Sequence, residues 1–343
     1  MLKNTVTPYI RGNNMKQRIK KICKIFISGV FAFLILTAFC YFYYNVPVHK
    51  NNTDGSTDYK WEPNVFYSRG TEGFASGRTN NEGFVNVLDY NSETPIDILI
   101  MGSSHIQAFE VPIRQSTTSR LQELTDKNVY NIGVSSHGFS TCCCNLEAAA
   151  EKYEPSYIVI ETGTCFFSED TLNGVISGTL AEIPAHTGGI AAKLQKNQFL
   201  RLLYAQVVNY NKKQPAAEED AVVKDTAEKN NEELLTKVLE KVKETATNHD
   251  AKIIIAYHPP VAVNSDATLI IGGNRAAEEQ FAKTCKENDI YFLNMNERFA
   301  EEYEKSYILP YGFINTTVGS GHLNKYGHKM MAEELYKIIL EVE

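Results

Sequence analysis

Several things are missing from this sequence. No Asp or Glu occurs in residues 1–44, and residues 25–44, IFISGVFAFLILTAFCYFYY, carry no charge of either sign. No cysteine spacing matches a zinc site, no glycine-rich run matches a phosphate loop or a dinucleotide fingerprint, and no segment repeats. Neither a metal site nor a cofactor is therefore expected. The seven cysteines do not form a disulfide framework. Cys23 and Cys40 lie in or beside the uncharged segment, Cys142, Cys143 and Cys144 are consecutive, and Cys165 and Cys285 stand alone. Adjacent cysteines make strained bridges. Small buried apolar side chains on a core-facing helix are the favoured reading.

The uncharged segment is long enough to cross a bilayer. Before it stand Lys16, Arg18, Lys20, Lys21 and Lys24, and Phe and Tyr crowd its far end. The positive-inside tendency puts the basic residues in the cytoplasm and the rest of the chain outside, with the aromatics at the interface. A cleaved signal peptide would have a shorter apolar core and small residues after it; Tyr41-Phe42-Tyr43-Tyr44 is a poor cleavage site. A retained single-pass anchor in the cell membrane is the expectation.

Of the 34 basic residues, seven fall in residues 1–44, leaving 27 against 41 acidic ones. An acidic body argues against a nucleic-acid partner. Residues 45–93 are polar and rich in Asn and Gly, and read as a tether and irregular extension that Trp61, Phe66 and Tyr67 can pin to the domain. From residue 94 apolar runs alternate with amphipathic segments. Strands are predicted at Ile98–Met101, Val129–Ile132, Tyr157–Ile160, Lys252–Tyr257 and Ile290–Leu293. Helices are predicted near Ser116–Leu124, Thr141–Lys152, Glu232–Asn248 and Arg275–Glu287, with a last one over Asn324–Val342. This alternation implies an α/β fold with a parallel sheet and helices on both faces. Residues 161–230 form a long excursion with a helical stretch near Leu194–Tyr210 and a charged tract at Lys212–Glu233.

The first predicted strand, Asp97-Ile98-Leu99-Ile100-Met101, stops at Gly102-Ser103-Ser104-His105. A serine on a strand-to-helix turn at the carboxyl edge of a parallel sheet has the exposure a nucleophile needs. The N–H groups beginning the next helix can face a developing negative charge. Far downstream stands Gly319-Ser320-Gly321-His322-Leu323-Asn324-Lys325-Tyr326-Gly327-His328. A serine needs a neutral imidazole to take its proton, and histidine titrates in the right range to do so.

Together these two stretches resemble the SGNH (GDSL-type) hydrolase family, over about residues 94–343. The resemblance implies a flavodoxin-like three-layer α/β/α sandwich around a central parallel sheet. It implies Ser104 as nucleophile, with Ser103 in place of the family Asp, and His322 as base. The block Asn131-Ile132-Gly133-Val134-Ser135-Ser136-His137-Gly138 matches the family's Asn-x-Gly-x-Ser-Gly, so Ser136 falls on the oxyanion glycine, with Gly138 close by. The third block reads Glu161-Thr162-Gly163-Thr164-Cys165, without the family Asn; Thr162 or Thr164 is left to donate a hydroxyl. The oxyanion hole is thus expected from Ser104, Ser136, Gly138 and Thr164. His105, His137 and His258 are candidate substrate contacts, and His328 a core or surface histidine.

Gly319 stands where the family has the triad Asp. Two readings follow: a Ser104–His322 dyad whose ring is oriented by a backbone carbonyl near Gly319–Gly321, which is favoured, or orientation by Glu161. The organisation expected is a basic cytoplasmic segment 1–24, a transmembrane anchor 25–44, the extension 45–93 and the hydrolase-like domain 94–343. The activity implied is that of a serine esterase or O-acyltransferase on acylated cell-surface glycan. The alternative is a non-catalytic glycan-binding or assembly protein, favoured by the missing Asp and Asn.

Overall fold

The computed structural model describes residues 9–47, 61–179, 197–211 and 228–342. The Asn51–Ser56 stretch of the expected tether, Gly188 and Gly189, and most of the charged tract lie outside the described residues. The first described element is helix α1 (Tyr9–Tyr43), whose uncharged residues 25–43 lie in a part long and apolar enough to cross a membrane. Its end runs into β1 (Tyr44–Asn45), which pairs antiparallel with β2 (Phe66–Arg69); β2 pairs in turn with β3 (Ala75–Arg78). The segment read as irregular therefore contains a small sheet continuous with the end of α1. Trp61 and Tyr67 are buried with Val85 and Phe109, which fastens this sheet to the domain.

The domain is built on five parallel strands: β4 (Ile98–Met101), β5 (Val129–Asn131), β6 (Tyr157–Thr162), β7 (Lys252–Tyr257) and β10 (Tyr291–Asn294), in spatial order β5-β4-β6-β7-β10. Numbered along the chain this is 2-1-3-4-5, the flavodoxin-like order. β4 and β6 are buried at every position, as strands between two helical layers must be. Alternate residues serve opposite faces. Leu99, Met101, Ile158, Ile160, Ile253 and Ile255 meet α4 (Phe139–Tyr153), α5 (Glu169–Ser177), α7 (Glu232–Asn248) and α8 (Arg275–Glu287). Ile98, Ile100, Val159 and Ile254 meet α3 (Thr117–Thr125), α9 (Asn296–Ser306) and α10 (Lys325–Val342). The three-layer α/β/α sandwich is thus present, with one membrane-length helix before it.

Helix α6 (Gln198–Asn211) lies apart from both layers, against α1. The two-stranded hairpin β8 (Val261–Val263) and β9 (Leu269–Ile271), and helix α9, have no counterpart in the predicted elements. Cys142, Cys143, Cys165 and Cys285 are buried and unbridged, as small apolar side chains.

Candidate active site

The carboxyl ends of β4, β5, β6 and β7 meet at one edge, where the strand order reverses between β4 and β6. Such a switch point opens a crevice. At the end of β4 the chain turns through Gly102 into the four-residue helix α2 (Ser104–Gln107). A Cβ at Gly102 would lie 2.5 Å from Glu161 Oε2, so only glycine lets the turn sit this close to β6. Ser103 caps α2, its hydroxyl accepting the His105 N–H at 3.3 Å. Ser104 N–H is at the head of the helix, where no residue a turn earlier accepts it.

The C-terminal motif has an equally direct physical reading. Leu323 is buried in the core. Asn324 caps α10, accepting from Tyr326 N and Gly327 N, while its amide donates to Leu309 O and Gly312 O. His328 is a core histidine, its Nδ1 against Thr117, and burial pushes its pKa down to about 3. With the helix start fixed in this way, His322 just before it is held over α2. Its Nε2 lies 3.0 Å from Ser104 Oγ.

The other ring nitrogen meets neither a backbone carbonyl nor Glu161. His322 Nδ1 donates to Glu72 Oε2 at 2.9 Å, and the His322 backbone N–H donates to Glu72 Oε1 at 3.2 Å. Glu72 stands in the β2–β3 turn. The expected dyad is corrected here: a carboxylate does face the ring, and it comes from the N-terminal extension. Gly319 has φ +87°, a left-handed conformation in which Asp would be strained.

Glu161 has a different task. Its Oε2 accepts the Ser103 N–H at 2.6 Å and its Oε1 faces His258 Nε2 at 2.6 Å. Tyr311 donates to Pro259 O at 2.7 Å, so its oxygen accepts from His258 Nδ1, also at 2.7 Å. A buried chain Glu161–His258–Tyr311 thereby underlies the serine turn. Burial opposes ionisation of Glu161, but the hydrogen bond and charge of His258 and the Ser103 N–H hold its pKa below the usual carboxylate value. Both nitrogens of His258 are taken within the protein, so the expectation that it contacts substrate is corrected on that ground.

A second carboxylate, buried Glu110, lies 3.9 Å from His322 Nδ1. Arg69 bridges the acids, its Nη2 2.9 Å from Glu110 Oε1 and 3.7 Å from Glu72 Oε2. Ligand atoms of Glu72, Glu110 and His322 lie within 4.8 Å of one another, close enough to share a metal ion. The positive charge among them is already the Arg69 guanidinium. Burial works against a protonated His322, but the Glu72 hydrogen bond and the charges of Glu110 and Glu72 outweigh it. With Arg69 opposing them, the ring still titrates above its ordinary 6.5. Burial would raise Glu72; its bonds to His322 and the charge of Arg69 lower it below the usual range.

The remaining candidates fall as follows. His105 Nδ1 accepts the Leu323 N–H at 3.2 Å, and its ring lies between those of His258 and His322, at 4.6 and 5.4 Å. Burial, reinforced by His258, depresses its pKa to about 3, so it is a neutral spacer. Val134 O accepts the His137 N–H, closing a turn with Ser136 at φ +73°. That left-handed position explains why the family motif has glycine there. Ser136 and Gly138 are exposed at the same sheet edge, and His137 between them is buried. Thr162 and Thr164 turn their hydroxyls into their own loop, to Thr164 O and Phe166 O. Thr164 is thus corrected as an oxyanion donor, since its proton is engaged locally.

No family model matches the chain, and no curated protein does. Solved structures with a similar chain course include TesA, at 14% identity over 72% of this chain and 99% of that one, TM-score 0.37. They include the psychrotrophic esterase EstA from Pseudoalteromonas sp., at 15% identity over 71% and 97%, TM-score 0.36. An acetyl xylan esterase matches at 13% identity over 71% and 100%, TM-score 0.39. The chemistry of the site is read from this chain's own residues.

Proposed function

We propose that this protein is a serine esterase or O-acyltransferase that works through an acyl-Ser104 intermediate. One observation carries the reading: the hydrogen-bonded series Ser104 Oγ, His322 Nε2, His322 Nδ1, Glu72 Oε2, with links of 3.0 and 2.9 Å. In this mechanism His322 takes the hydroxyl proton as Ser104 Oγ bonds to the acyl carbon. The ester C–O bond breaks and the proton passes from His322 to the departing alcohol. Water or a second hydroxyl then attacks the acyl carbon, His322 takes its proton, and Ser104 leaves with a proton restored. Glu72 keeps Nδ1 protonated and stabilises the imidazolium. The oxyanion would be met by the Ser104 N–H at the start of α2 and the Ser136 N–H, since the neighbouring Ser103, His105, Val134, Ser135 and His137 N–H groups donate within the protein.

We further read α1 as a retained anchor that holds the domain outside the cytoplasm, which fits the basic residues before it. The substrate would then be an O-acylated glycan at the cell surface, acetylated glycan in particular. This rests on the motif resemblance and on that topology. The non-catalytic alternative drew its support from the missing Asp and the missing Asn; Glu72 supplies a carboxylate and so answers the first of these.

Active-site labelling with a fluorophosphonate tests the reading on the full chain in detergent. Wild type labels and Ser104→Ala does not. Folded wild type that neither labels nor hydrolyses an aryl acetate would return the protein to the binding class.

A further inference from the structure

Helix α6 has no place in the sandwich. It packs instead along α1, and the contacts fix its level. The rings of Phe33 and Phe199 meet edge to face at 5.9 Å, and Thr37 Oγ1 bonds to the Asn197 side-chain amide at 3.2 Å. Phe33 and Thr37 stand ten and six residues before the end of α1 at Tyr43. At 1.5 Å per residue that is about 15 and 9 Å along the helix axis. The hydrocarbon core of a bilayer is about 30 Å thick. If Tyr43 marks the exit, α6 begins within the outer half of that core.

The polar groups of α6 behave accordingly. Asn197 caps its start, accepting the Leu200 N–H at 3.1 Å. Gln198 reaches Asn45 Oδ1, and Arg201 donates to Val46 O, both at the exit of α1. The polar side chains of Asn197, Gln198 and Arg201 at the start of the helix thus bond to protein, which is the condition for placing that part in lipid. On another face Leu203, Tyr204 and Val207 are exposed, by 45, 48 and 57%. Spaced i, i+1, i+4, they form one stripe.

We infer that α6 is a second membrane element, bedded in the outer leaflet beside α1 with Leu203, Tyr204 and Val207 against lipid acyl chains. The inference rests on the reading of α1 as membrane-spanning. Polar contacts between Asn197 and Thr37 then serve as interhelical hydrogen bonds within the bilayer.

Single tryptophans placed at Leu203, Phe31 and Leu124 in the full chain, reconstituted in vesicles of acyl-brominated phosphatidylcholine, test it. Trp61, outside the membrane, supplies the background emission. Leu203→Trp and Phe31→Trp should lose most of their added emission, and Leu124→Trp, on α3, should keep it. Quenching at 31 without quenching at 203 overturns the inference and leaves α1 spanning; a second copy or a soluble partner covering the stripe would give this result. Quenching at neither position overturns the spanning reading itself, and the inference with it. Equal quenching at 124 and 203 overturns the assignment of α6 as the distinct lipid contact. Val207→Trp repeats the test should Leu203→Trp misfold.

Discussion

Glu72 and His322 lie 250 positions apart in the chain and are joined by two hydrogen bonds, one from the ring and one from the backbone of the same residue. A single carboxylate so held fixes both the tautomer of the imidazole and the position of its peptide. On the proposed mechanism, Glu72→Gln lowers kcat by on the order of 10⁴, as when the orienting carboxylate of a triad is lost. Hydrolysis of an aryl acetate by the folded variant measures it. A change within tenfold would show that the ring is oriented without Glu72.

The pH profile has a definite sign. His322 must be neutral to act as base, and its pKa is raised, so kcat/KM climbs with pH through a limb centred above 6.5. Glu72→Gln removes a hydrogen bond and a negative charge that raise the pKa, and moves the limb to lower pH. Arg69→Gln removes a positive charge that lowers it, and moves the limb to higher pH. Shifts in the same direction for both variants would contradict this electrostatic arrangement.

Glu161→Gln should act on folding. Glu161 and His258 are 1% and 2% exposed, and breaking a buried pair by altering one partner costs about 3–5 kcal/mol. Denaturant melts should show that loss, while the acid limb of the pH profile stays near its wild-type place. A limb displaced as in Glu72→Gln, with stability unchanged, would assign Glu161 to His322 after all.

Gly319→Asp restores the residue type that the motif resemblance calls for, and it should not restore function. At φ +87° a side chain costs on the order of 1–2 kcal/mol of strain. The double variant Glu72→Gln, Gly319→Asp should be as slow as Glu72→Gln and less stable. Recovery of activity above tenfold would refute this.

The sheet was legible because its strands are uninterrupted apolar runs: β4 and β7 match the predicted spans residue for residue, and α7 and α8 do too. Strand ends were less so, since Glu161 and Thr162 extend β6 as polar residues that are nonetheless buried. Ser104 and His322 stood out because each adjoins a regular element whose start the local sequence dictates. Glu72 did not. It sits in a turn within a polar stretch, and no periodicity links it to a histidine 250 positions later. The usable signal was indirect: Trp61, Phe66 and Tyr67 announce a segment that docks, and Arg69-Gly70-Thr71-Glu72-Gly73 is the charged turn it delivers. Helix α9 escaped because only Phe299 and Tyr303 are buried along its length.

The hydrogen bond from Gly70 N to Tyr43 O, the last residue of α1, lies two residues from Glu72. Two residues span at most about 7 Å. Glu72 is therefore moored close to the end of α1, and the length of chain between residues 47 and 61 lends it no reach. With α1 in a bilayer, the height of the site is set by this hydrogen bond and the β1–β2 pairing beside it. Esters carried on strands far from the surface would have to bend down to it, whereas those emerging at the surface would pass it first.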